Sequence, residues 1–382
     1  MKIAIITDVL GEENNGTTIT TRRLIENMKQ RGHEVFVVSP TVTTEEGFYS
    51  LKKRNFYIFN KYVEKNGVTL AVPDKELLTQ VISKADVVHI LLPFQTGRVA
   101  IKIANELGKP VTTAFHAQAE NVTAHLGLKN FKPANDFIYK RFLRTFYKYT
   151  NFVHCPSPFI ARTIKEQGYD MDLRVISNGV SPVYQKREVE KPAEFKNKFC
   201  ILFIGRLSKE KRHDLLIDAV RKSKYSDHIQ LIFAGDGPLK EKLIKYSKGL
   251  KNAPVFGFFP KEKLVDVINY CDLYVHPSDI EIEAISCLEA ITCGRVPVIS
   301  DSDRSATNAF ALTEKNLFKA GNPQSLAEKI DFFIENPVEI ENLEKQYENY
   351  AEQFRIEKVM DKMEQMFIDA IELEKQKAKK LG

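Results

Sequence analysis

Two glutamates spaced eight residues apart, Glu281 and Glu289, carry the clearest chemical signal in this chain. They lie in the segment His276–Gly294, which turns at Pro277 and then takes a helical pattern, with Glu281 at the mouth of the helix. A helix N-terminus offers unpaired backbone N–H groups and partial positive charge to an anion. One carboxylate could then contact a sugar while the other accepts hydrogen bonds from ribose hydroxyls. The segment therefore suits a nucleotide-sugar, and a surface helix with solvated glutamates is the alternative.

Two cations follow an apolar run in the second half of the chain. The run Phe199–Ile204 predicts a buried strand, and Gly205, Arg206 and Lys211 come soon after it. In open α/β sheets, ligands bind beyond the carboxyl ends of the strands, so these cations are well placed to neutralise a diphosphate. A solvated loop before the predicted helix Asp214–Val220 is the alternative. The presence of the two glutamates further along favours the phosphate interpretation.

Short β-branched runs alternate with helical patterns along the chain, which is typical of parallel sheets with crossover helices. These runs are Glu34–Ser39, Val87–Leu92, Arg174–Ile176, Phe199–Ile204, Gln230–Ala234, Leu273–His276 and Val296–Ser300. The 382 residues exceed the size at which a single core usually stops growing. The sequence therefore predicts two α/β domains, each with its own sheet.

Five short motifs, spread over nearly the whole length, resemble those of the retaining glycosyltransferases of family four. The motifs are Ser177–Val180, Gly205–Lys211, Ala234–Pro238, Glu281 and Glu289 with Ala290 and Gly294, and Pro297–Ile299. The resemblance implies the GT-B fold, in which two Rossmann-like domains have parallel sheets facing a central cleft. It also implies that Arg206 and Lys211 hold the donor diphosphate. Glu281 would contact the transferred sugar, and Glu289 the ribose.

Two segments depart from the pattern of that family. Ile282–Ala284 stands where a small glycine-rich turn is usual, and Asp301–Thr307 replaces the glycine pair usual after Pro297–Ile299. The backbone of the first turn normally faces the sugar. The identity of the donor sugar therefore stays open.

The predicted domains are residues 1–181, an N-terminal acceptor-side domain, and residues 199–355, a C-terminal domain that binds the nucleotide-sugar. Pro182 and Pro192 flank a charged run without apolar periodicity, so residues 182–198 are predicted to be a linker. A helical pattern runs from about Ile356 to Lys379. In the resembled family such a helix returns to the first domain, so we expect the same of residues 356–382.

Two glycines stand in turns that lead into helices. Gly16 precedes the predicted helix Ile19–Arg31 and permits close approach of the backbone to a ligand. The spacing around it is not Gly-x-Gly-x-x-Gly, which argues against a dehydrogenase. In the resembled family this loop faces the donor phosphates and the acceptor, and Gly235 belongs to a loop that would shape the nucleotide pocket. Ordinary strand-to-helix turns are the alternative at both positions.

One histidine is a candidate for catalysis. His116 follows the predicted strand Val111–Ala114, and the resembled family has a histidine after the same strand that contacts the donor sugar. A structural role is the alternative for His116. The remaining histidines considered are interpreted as structural; they are His89, His125, His154 and His276.

Positive charge is concentrated in the first half of the chain. The net charge is +6, and residues 1–180 contain 24 Lys and Arg against 17 Asp and Glu. Within Lys129–Tyr149, a helix would place Lys140, Arg144 and Lys148 nearly opposite an apolar stripe. The stripe consists of Ile138, Phe142, Phe146 and Tyr149.

Cations beside aromatic rings suit an anionic membrane surface. The segment Lys52–Tyr62 repeats this mixture of basic and aromatic residues. A core helix with a solvated charged face is one alternative. Nucleic acid is a weaker one, because no binding motif for it accompanies the charge. No nucleic-acid partner is therefore expected.

The composition predicts a cytoplasmic enzyme that associates peripherally with the inner face of the plasma membrane. No stretch approaches the roughly 18–20 apolar residues that span a bilayer, and no signal peptide is visible. The five cysteines are scattered and without metal-ligand spacing, as expected for reduced core residues of a cytosolic protein.

The resemblance, taken together with these features, implies a retaining hexosyltransferase that transfers glucose or galactose from UDP-glucose or UDP-galactose. The predicted acceptor is a hydroxyl of a membrane lipid such as diacylglycerol. We expect no cofactor and no obligatory metal, because no Asp-x-Asp motif or His/Asp cluster is present. A cell-wall or capsular glycan is the alternative acceptor. A UDP-sugar epimerase and a non-catalytic partner subunit are the alternatives from other classes.

Overall fold

Two parallel β-sheets form the centres of two structural units. The structure is a computed structural model and describes residues 1–10, 16–55, 70–124 and 131–381. Unit 1 consists of Met1–Ser177 together with Glu357–Gly382, and unit 2 of Asn178–Ile356. The fold class predicted from the sequence, two Rossmann-like α/β domains with parallel sheets, is confirmed.

In the described part of unit 1, the sheet has seven strands in the order β3-β2-β1-β4-β5-β6-β7, and neighbouring strands pair in parallel. Its central strands are almost fully buried, as expected for a sheet covered on both faces. The strands are β1 Lys2–Ile6, β2 Glu34–Ser39, β3 Phe48–Ser50, β4 Val87–Ile90, β5 Val111–Ala114, β6 Phe152–Cys155 and β7 Asp172–Val175.

The helices that cover this sheet lie mostly between consecutive strands. They are α1 Gly16–Gln30, α2 Lys75–Lys84, α3 Gln95–Glu106, α4 Ala119–Ala124, α5 Lys132–Thr145 and α6 Pro158–Glu166.

The sheet of unit 2 has six strands in the order β10-β9-β8-β11-β12-β13, again in parallel. The strands are β8 Phe199–Ile204, β9 Ile229–Ala234, β10 Val255–Gly257, β11 Leu273–His276, β12 Pro297–Ser300 and β13 Leu317–Phe318. The helices are α7 His213–Lys222, α8 Lys240–Tyr246, α9 Lys261–Tyr270, α10 Ile285–Thr292, α11 Pro323–Glu335 and α12 Pro337–Ala351.

The last helix, α13 Ile356–Leu381, begins at the end of unit 2 and packs against unit 1. Phe367 is fully buried, with its ring centroid 5.3 Å from that of His89. Glu364 accepts hydrogen bonds from Arg31 at 3.0 Å and is 2.8 Å from the His33 ring nitrogen.

Residues 182–198 lie in unit 2 and are tied to its surface. Arg187 forms a 2.7 Å ion pair with Asp266, and Lys191 forms one of 2.6 Å with Asp272. This segment therefore makes specific contacts with the domain that follows it.

Two further observations concern sequence features without a role in the site. All five cysteines are buried and none forms a disulfide. Within residues 1–10, 16–55, 70–124 and 131–381, no helix combines the length and apolarity needed to cross a membrane.

Among the residues that the structure describes, two other than glycine adopt a left-handed backbone, and both precede helices of unit 2. Arg212, with φ 54°, comes before α7, and Ala284, with φ 65°, comes before α10. This conformation costs an alanine about 1–2 kcal/mol. Ala284 belongs to the turn where the resembled family has glycines, so the chain keeps the turn without the residue best suited to it.

Ala284→Gly should stabilise unit 2 by about 0.5–1 kcal/mol. Relief of the left-handed strain should exceed the roughly 0.4–1 kcal/mol that glycine costs through its freedom in the unfolded chain. The thermal unfolding midpoint measures the effect. Ala290→Gly is the matched control, because it makes the same change inside α10 and should destabilise by about 1 kcal/mol. Equal destabilisation by both changes would contradict the backbone assignment.

Candidate functional site

An ion pair joins the loops that follow two neighbouring strands of unit 2. Lys211 follows β8 and Glu281 follows β11, and these strands are paired in the sheet. The Lys211 Nζ atom lies 2.5 Å from Glu281 Oε1, and both side chains are largely withdrawn from solvent. The structure therefore brings together one residue predicted to hold a diphosphate and one predicted to contact a sugar.

The Glu281 carboxylate is held in its ionised form. Burial raises its pKa, but Lys211 and a hydrogen bond from His276 outweigh burial and lower the pKa to about 2. A carboxylate with this pKa accepts hydrogen bonds only, at any physiological pH. It can therefore serve as an acceptor for the hydroxyl groups of a ligand.

His276 contacts Glu281 directly, which the sequence analysis did not anticipate. Its Nε2 atom is 2.9 Å from the same Oε1 atom that binds Lys211. Burial lowers the pKa of His276 more than Glu281 raises it, so the ring is neutral. Because a carboxylate can only accept, Nε2 carries the proton and Nδ1 accepts from the Tyr274 hydroxyl at 3.0 Å.

This hydrogen-bond network reaches helix α10. Tyr274 Oη lies 3.2 Å from Oγ of Ser286, the second residue of that helix. Tyr274 and His276 are fully buried in β11. Strand β11, the loop that carries Glu281 and the start of helix α10 are thereby linked through one chain of polar groups.

The loop that carries Glu281 is anchored at both sides by backbone contacts. The Asp279 backbone N–H donates to the Glu210 carbonyl at 2.8 Å, and the Ala306 N–H donates to the Glu281 carbonyl at 2.9 Å. Ser302 Oγ also donates to the Asp279 carbonyl at 2.7 Å. Residues 301–307, which replace the glycine pair of the resembled family, therefore support the loop directly.

The other departing segment has a structural role of its own. Glu283 is buried and accepts from the Asn178 backbone N–H at 2.9 Å and from its Nδ2 at 2.5 Å. It ties the Glu281 loop to the Ser177–Val180 motif. A turn made of glycines could not make this contact, because glycine has no side chain.

The helix begins later than the sequence pattern indicated. Glu281 lies in the loop four residues before Ile285, the first residue of α10, whereas the sequence analysis expected it at the mouth of the helix. Glu289 is buried within α10, as expected. The loop, rather than the helix, positions Glu281.

The remaining predicted donor-side residues also lie in unit 2. Arg206 is half-buried on the loop that leads from Gly205 to Lys211. A Cβ atom on Gly235 would come within 2.0 Å of the Gly205 carbonyl oxygen. The loops after β8 and β9 therefore pack backbone against backbone, which only glycine at position 235 permits.

Gly16 and His116 belong to unit 1. Gly16 is the first residue of α1, and no described atom lies within 4 Å of the position of a Cβ there. Burial lowers the pKa of His116 to about 3, so its ring is neutral, and its Nε2 atom has no hydrogen-bond partner in the described part of the chain. Its ring packs edge-on against His154, with centroids 5.6 Å apart. His125 lies outside the described residues.

The proposed membrane-binding cations lie on and just after helix α5. Lys140, Arg144 and Lys148 are exposed. Phe142 and Phe146, from the predicted apolar stripe, are buried in the core of unit 1 rather than presented to solvent. The basic segment 52–62 is described only as far as residue 55, and residues 56–62 lie outside the described residues.

A different aromatic ring lies on the exposed side of α5. Phe137 is 66% exposed, and Arg141 and Arg144 follow it at helical spacings of four and seven residues. Lys140 lies on the same side. The exposed face of α5 thus combines an apolar ring with cations.

Comparisons with known proteins match the two units separately. Residues 14–183 match the family described as Glycosyltransferase Family 4, and residues 185–354 match Glycosyl transferases group 1. An alpha-monoglucosyldiacylglycerol synthase of Streptococcus pneumoniae is 23% identical, covering 97% of this chain and 86% of that protein. A GDP-mannose-dependent alpha-mannosyltransferase of Corynebacterium glutamicum is also 23% identical, covering 78% of this chain and 72% of that protein.

A solved structure shows the same fold over almost the whole chain. Anabaena Alr3699/HepE, crystallised with UDP and glucose, has a TM-score of 0.75 at 17% identity and covers 97% of this chain and 100% of that one. The chain therefore belongs to the glycosyltransferases of the GT-B fold, with a family 4 domain followed by a group 1 domain.

Proposed function

We propose that this glycosyltransferase is a retaining enzyme that transfers glucose or galactose from a UDP-sugar to a hydroxyl of a membrane lipid, such as diacylglycerol. The observation that carries the proposal is the contact between Lys211 and the ionised Glu281. It supplies a cation for a diphosphate and an acceptor for sugar hydroxyls at one place. The lipid acceptor is supported by the name of the full-length streptococcal relative.

In the proposed reaction, Arg206 and Lys211 stabilise the leaving diphosphate. The bond between the anomeric carbon and the phosphate oxygen breaks, and the acceptor oxygen forms its bond on the same face of the sugar. The leaving diphosphate takes the acceptor proton. Cations held in advance where negative charge develops lower the barrier without reorganisation. We propose no protein nucleophile and no metal for this step.

Glu281 would orient the sugar through one of its two oxygens. Lys211 and His276 both bind Oε1, which fixes the plane of the carboxylate. Oε2 then keeps its lone pairs for sugar hydroxyls. His276 acts here as a positioning residue, because it reaches the ligand only through Glu281. Glu289 is proposed to hold the ribose, and neutral His116 to contact the donor sugar.

The exposed face of α5 supports peripheral membrane association. Each cation near an anionic leaflet contributes about 1 kcal/mol. Phe137 adds an apolar ring at the same surface. We therefore propose that Lys140, Arg144 and Lys148 attract the enzyme to an anionic membrane surface.

Incubation of the purified chain with lipid vesicles and one sugar nucleotide at a time tests the proposed function. UDP-glucose or UDP-galactose should give an α-linked monohexosyl lipid, detected by mass spectrometry and assigned by NMR, with or without EDTA. GDP-mannose is the control donor, because the corynebacterial relative is named for it. Transfer from GDP-mannose alone would contradict the proposed donor. A β-linked product would contradict the retaining mechanism, and labelling of a soluble glycan alone would contradict the lipid acceptor.

Lys211→Ala and Arg206→Ala should each lower turnover by about 10²–10³, because each removes a group that stabilises charge in the transition state. Initial rates at saturating donor measure the effect. The assay temperature is kept well below the unfolding midpoint of each variant, because Lys211→Ala also leaves Glu281 without its cation and so lowers stability. Lys209→Ala is the matched control, because Lys209 is exposed in the same turn, Lys209–Lys211. If Lys211→Ala turns over as fast as Lys209→Ala, the phosphate assignment is wrong.

Replacing Lys140, Arg144 and Lys148 by Glu should weaken binding to anionic vesicles more than tenfold, since attraction of about 1 kcal/mol per cation becomes repulsion. Co-sedimentation measures the binding, and 1 M salt should mimic the change by shortening the Debye length from about 10 Å at 0.1 M to about 3 Å. The control replaces Lys375, Lys379 and Lys380 by Glu, an equal change of charge at exposed positions of α13. Equal loss in both variants would show that only net charge matters.

A further inference from the structure

A pocket in unit 1, apart from the donor-side residues, is lined by three arginines. It has a volume of about 210 Å³, and Arg54, Arg98 and Arg141 contribute to its walls. Leu70, Phe94 and Phe142 form apolar parts of the wall. The pocket can therefore hold a small polyatomic anion together with part of the group that carries it.

The three arginines come from three different elements. Arg54 adjoins the bridge between Lys53 and Ala71, Arg98 lies near the start of α3, and Arg141 lies in the C-terminal half of α5. Residues this far apart in sequence converge only through the tertiary fold. The cluster is therefore a property of the folded unit rather than a run of solvated charge.

The positive charge of the pocket is not balanced by its described lining. No Asp or Glu is among the described lining residues. The Arg98 and Arg141 side chains form no ion pair or hydrogen bond with any residue in the described ranges. Arg54 donates to the neutral amide of Gln95.

One carboxylate, that of Asp8, lies close enough to interact with Arg54, but one of its oxygens, Oδ1, is engaged elsewhere. Asp8 accepts hydrogen bonds from the Thr96 hydroxyl at 2.7 Å and from the Ala71 backbone N–H at 3.2 Å. Burial raises the pKa of Asp8, which disfavours its charged form. It offers at most partial compensation for one of the three cations.

Arg98 occupies a position that is unfavourable for a cation unless an anion binds there. The N-terminus of a helix carries partial positive charge and is stabilised by acidic residues, yet the first turn of α3 contains none. The same helix end attracts anions. An arginine at this position therefore opposes the stability of the empty protein and favours an anionic ligand.

We propose that this pocket binds one phosphate group, with the apolar wall contacting the adjoining part of a phosphate ester. Guanidinium groups recognise phosphate through paired N–H donors, and three of them can engage several phosphate oxygens. The phosphate has two conceivable sources, a soluble phosphate ester and the headgroup of an anionic phospholipid. Arg141 also lies on the exposed face of α5, which favours the headgroup.

Binding measurements test this site without reference to sugar transfer, so its failure is distinguishable from failure of the proposed function. Three proteins are compared, each as the full chain. They are the unsubstituted protein, a double variant with both Arg98→Gln and Arg141→Gln, and the control variant Arg162→Gln. Arg162 is an exposed arginine of α6 in the same unit and outside the pocket lining. The thermal midpoint of each variant, without ligand, checks that it folds.

The soluble arm measures binding of glycerol 1-phosphate and inorganic phosphate by calorimetry. The membrane arm uses phosphatidylcholine vesicles that contain either phosphatidylglycerol or oleate, matched in surface charge, so that only the phosphate of the charged lipid differs. In at least one arm, the double variant should bind at least tenfold more weakly than Arg162→Gln.

The pattern of loss identifies the source of the phosphate. If the double variant loses binding only to phosphatidylglycerol vesicles, the pocket binds a lipid headgroup. If it also loses binding of glycerol 1-phosphate, the pocket binds a soluble phosphate ester as well. If the double variant and Arg162→Gln bind all ligands and both vesicle types equally, the phosphate site does not exist. Equal loss on phosphatidylglycerol and oleate vesicles, with no binding of soluble phosphate, would also overturn it, because charge alone would then explain binding.

Discussion

The ion pair between Lys211 and Glu281 is the interaction on which the donor-side arrangement depends. Removing either member of a buried pair leaves an uncompensated charge, which typically costs about 3–5 kcal/mol. The residue proposed to hold the phosphate and the residue proposed to contact the sugar therefore stabilise each other before any ligand arrives. In the proposed function, a diphosphate bound by Lys211 would compete with Glu281 for the same ammonium, while the hydrogen bond from His276 would keep the carboxylate oriented.

Much of unit 2 could be predicted from its sequence because the relevant signals are local. The runs Phe199–Ile204 and Leu273–His276 are strands with the predicted bounds, since continuous apolar, β-branched residues are characteristic of strands buried on both faces. Cations directly after such a strand must lie at its carboxyl end. Lys211 could therefore be placed at the edge of the sheet from its position alone.

The contacts that position Glu281 could not be predicted in this way. They join residues far apart in sequence, such as Asn178 with Glu283 and Glu210 with Asp279, and no local pattern encodes which loops meet. His276 was interpreted as structural because an isolated histidine gives no signal of its partner. Its position as the last residue of β11, five residues before Glu281, was the available hint.

Helix α5 shows a second limit of pattern-based prediction. A helical stripe of apolar residues indicates burial, but it does not say whether the stripe faces the protein core or a membrane. In the structure Phe142 and Phe146 are buried in the core, whereas Tyr149 of the same stripe and Phe137 outside it are exposed. The cations were identified correctly as exposed, because charged side chains pay a large desolvation cost in a core.

Unit 1 combines two segments that lie far apart in the chain, Met1–Ser177 and Glu357–Gly382, and this affects how the protein can fold during synthesis. Helix α13 fills the space beside His89 with Phe367, yet the 204 residues after Ser177 up to Leu381 must be made before the whole helix exists. At about 5–20 residues per second, that interval is about 10–40 s. Until helix α13 is made, the apolar residues of unit 1 beside Phe367 lack the cover that this helix gives them. Unit 1 can therefore complete its packing only after unit 2 has been synthesised.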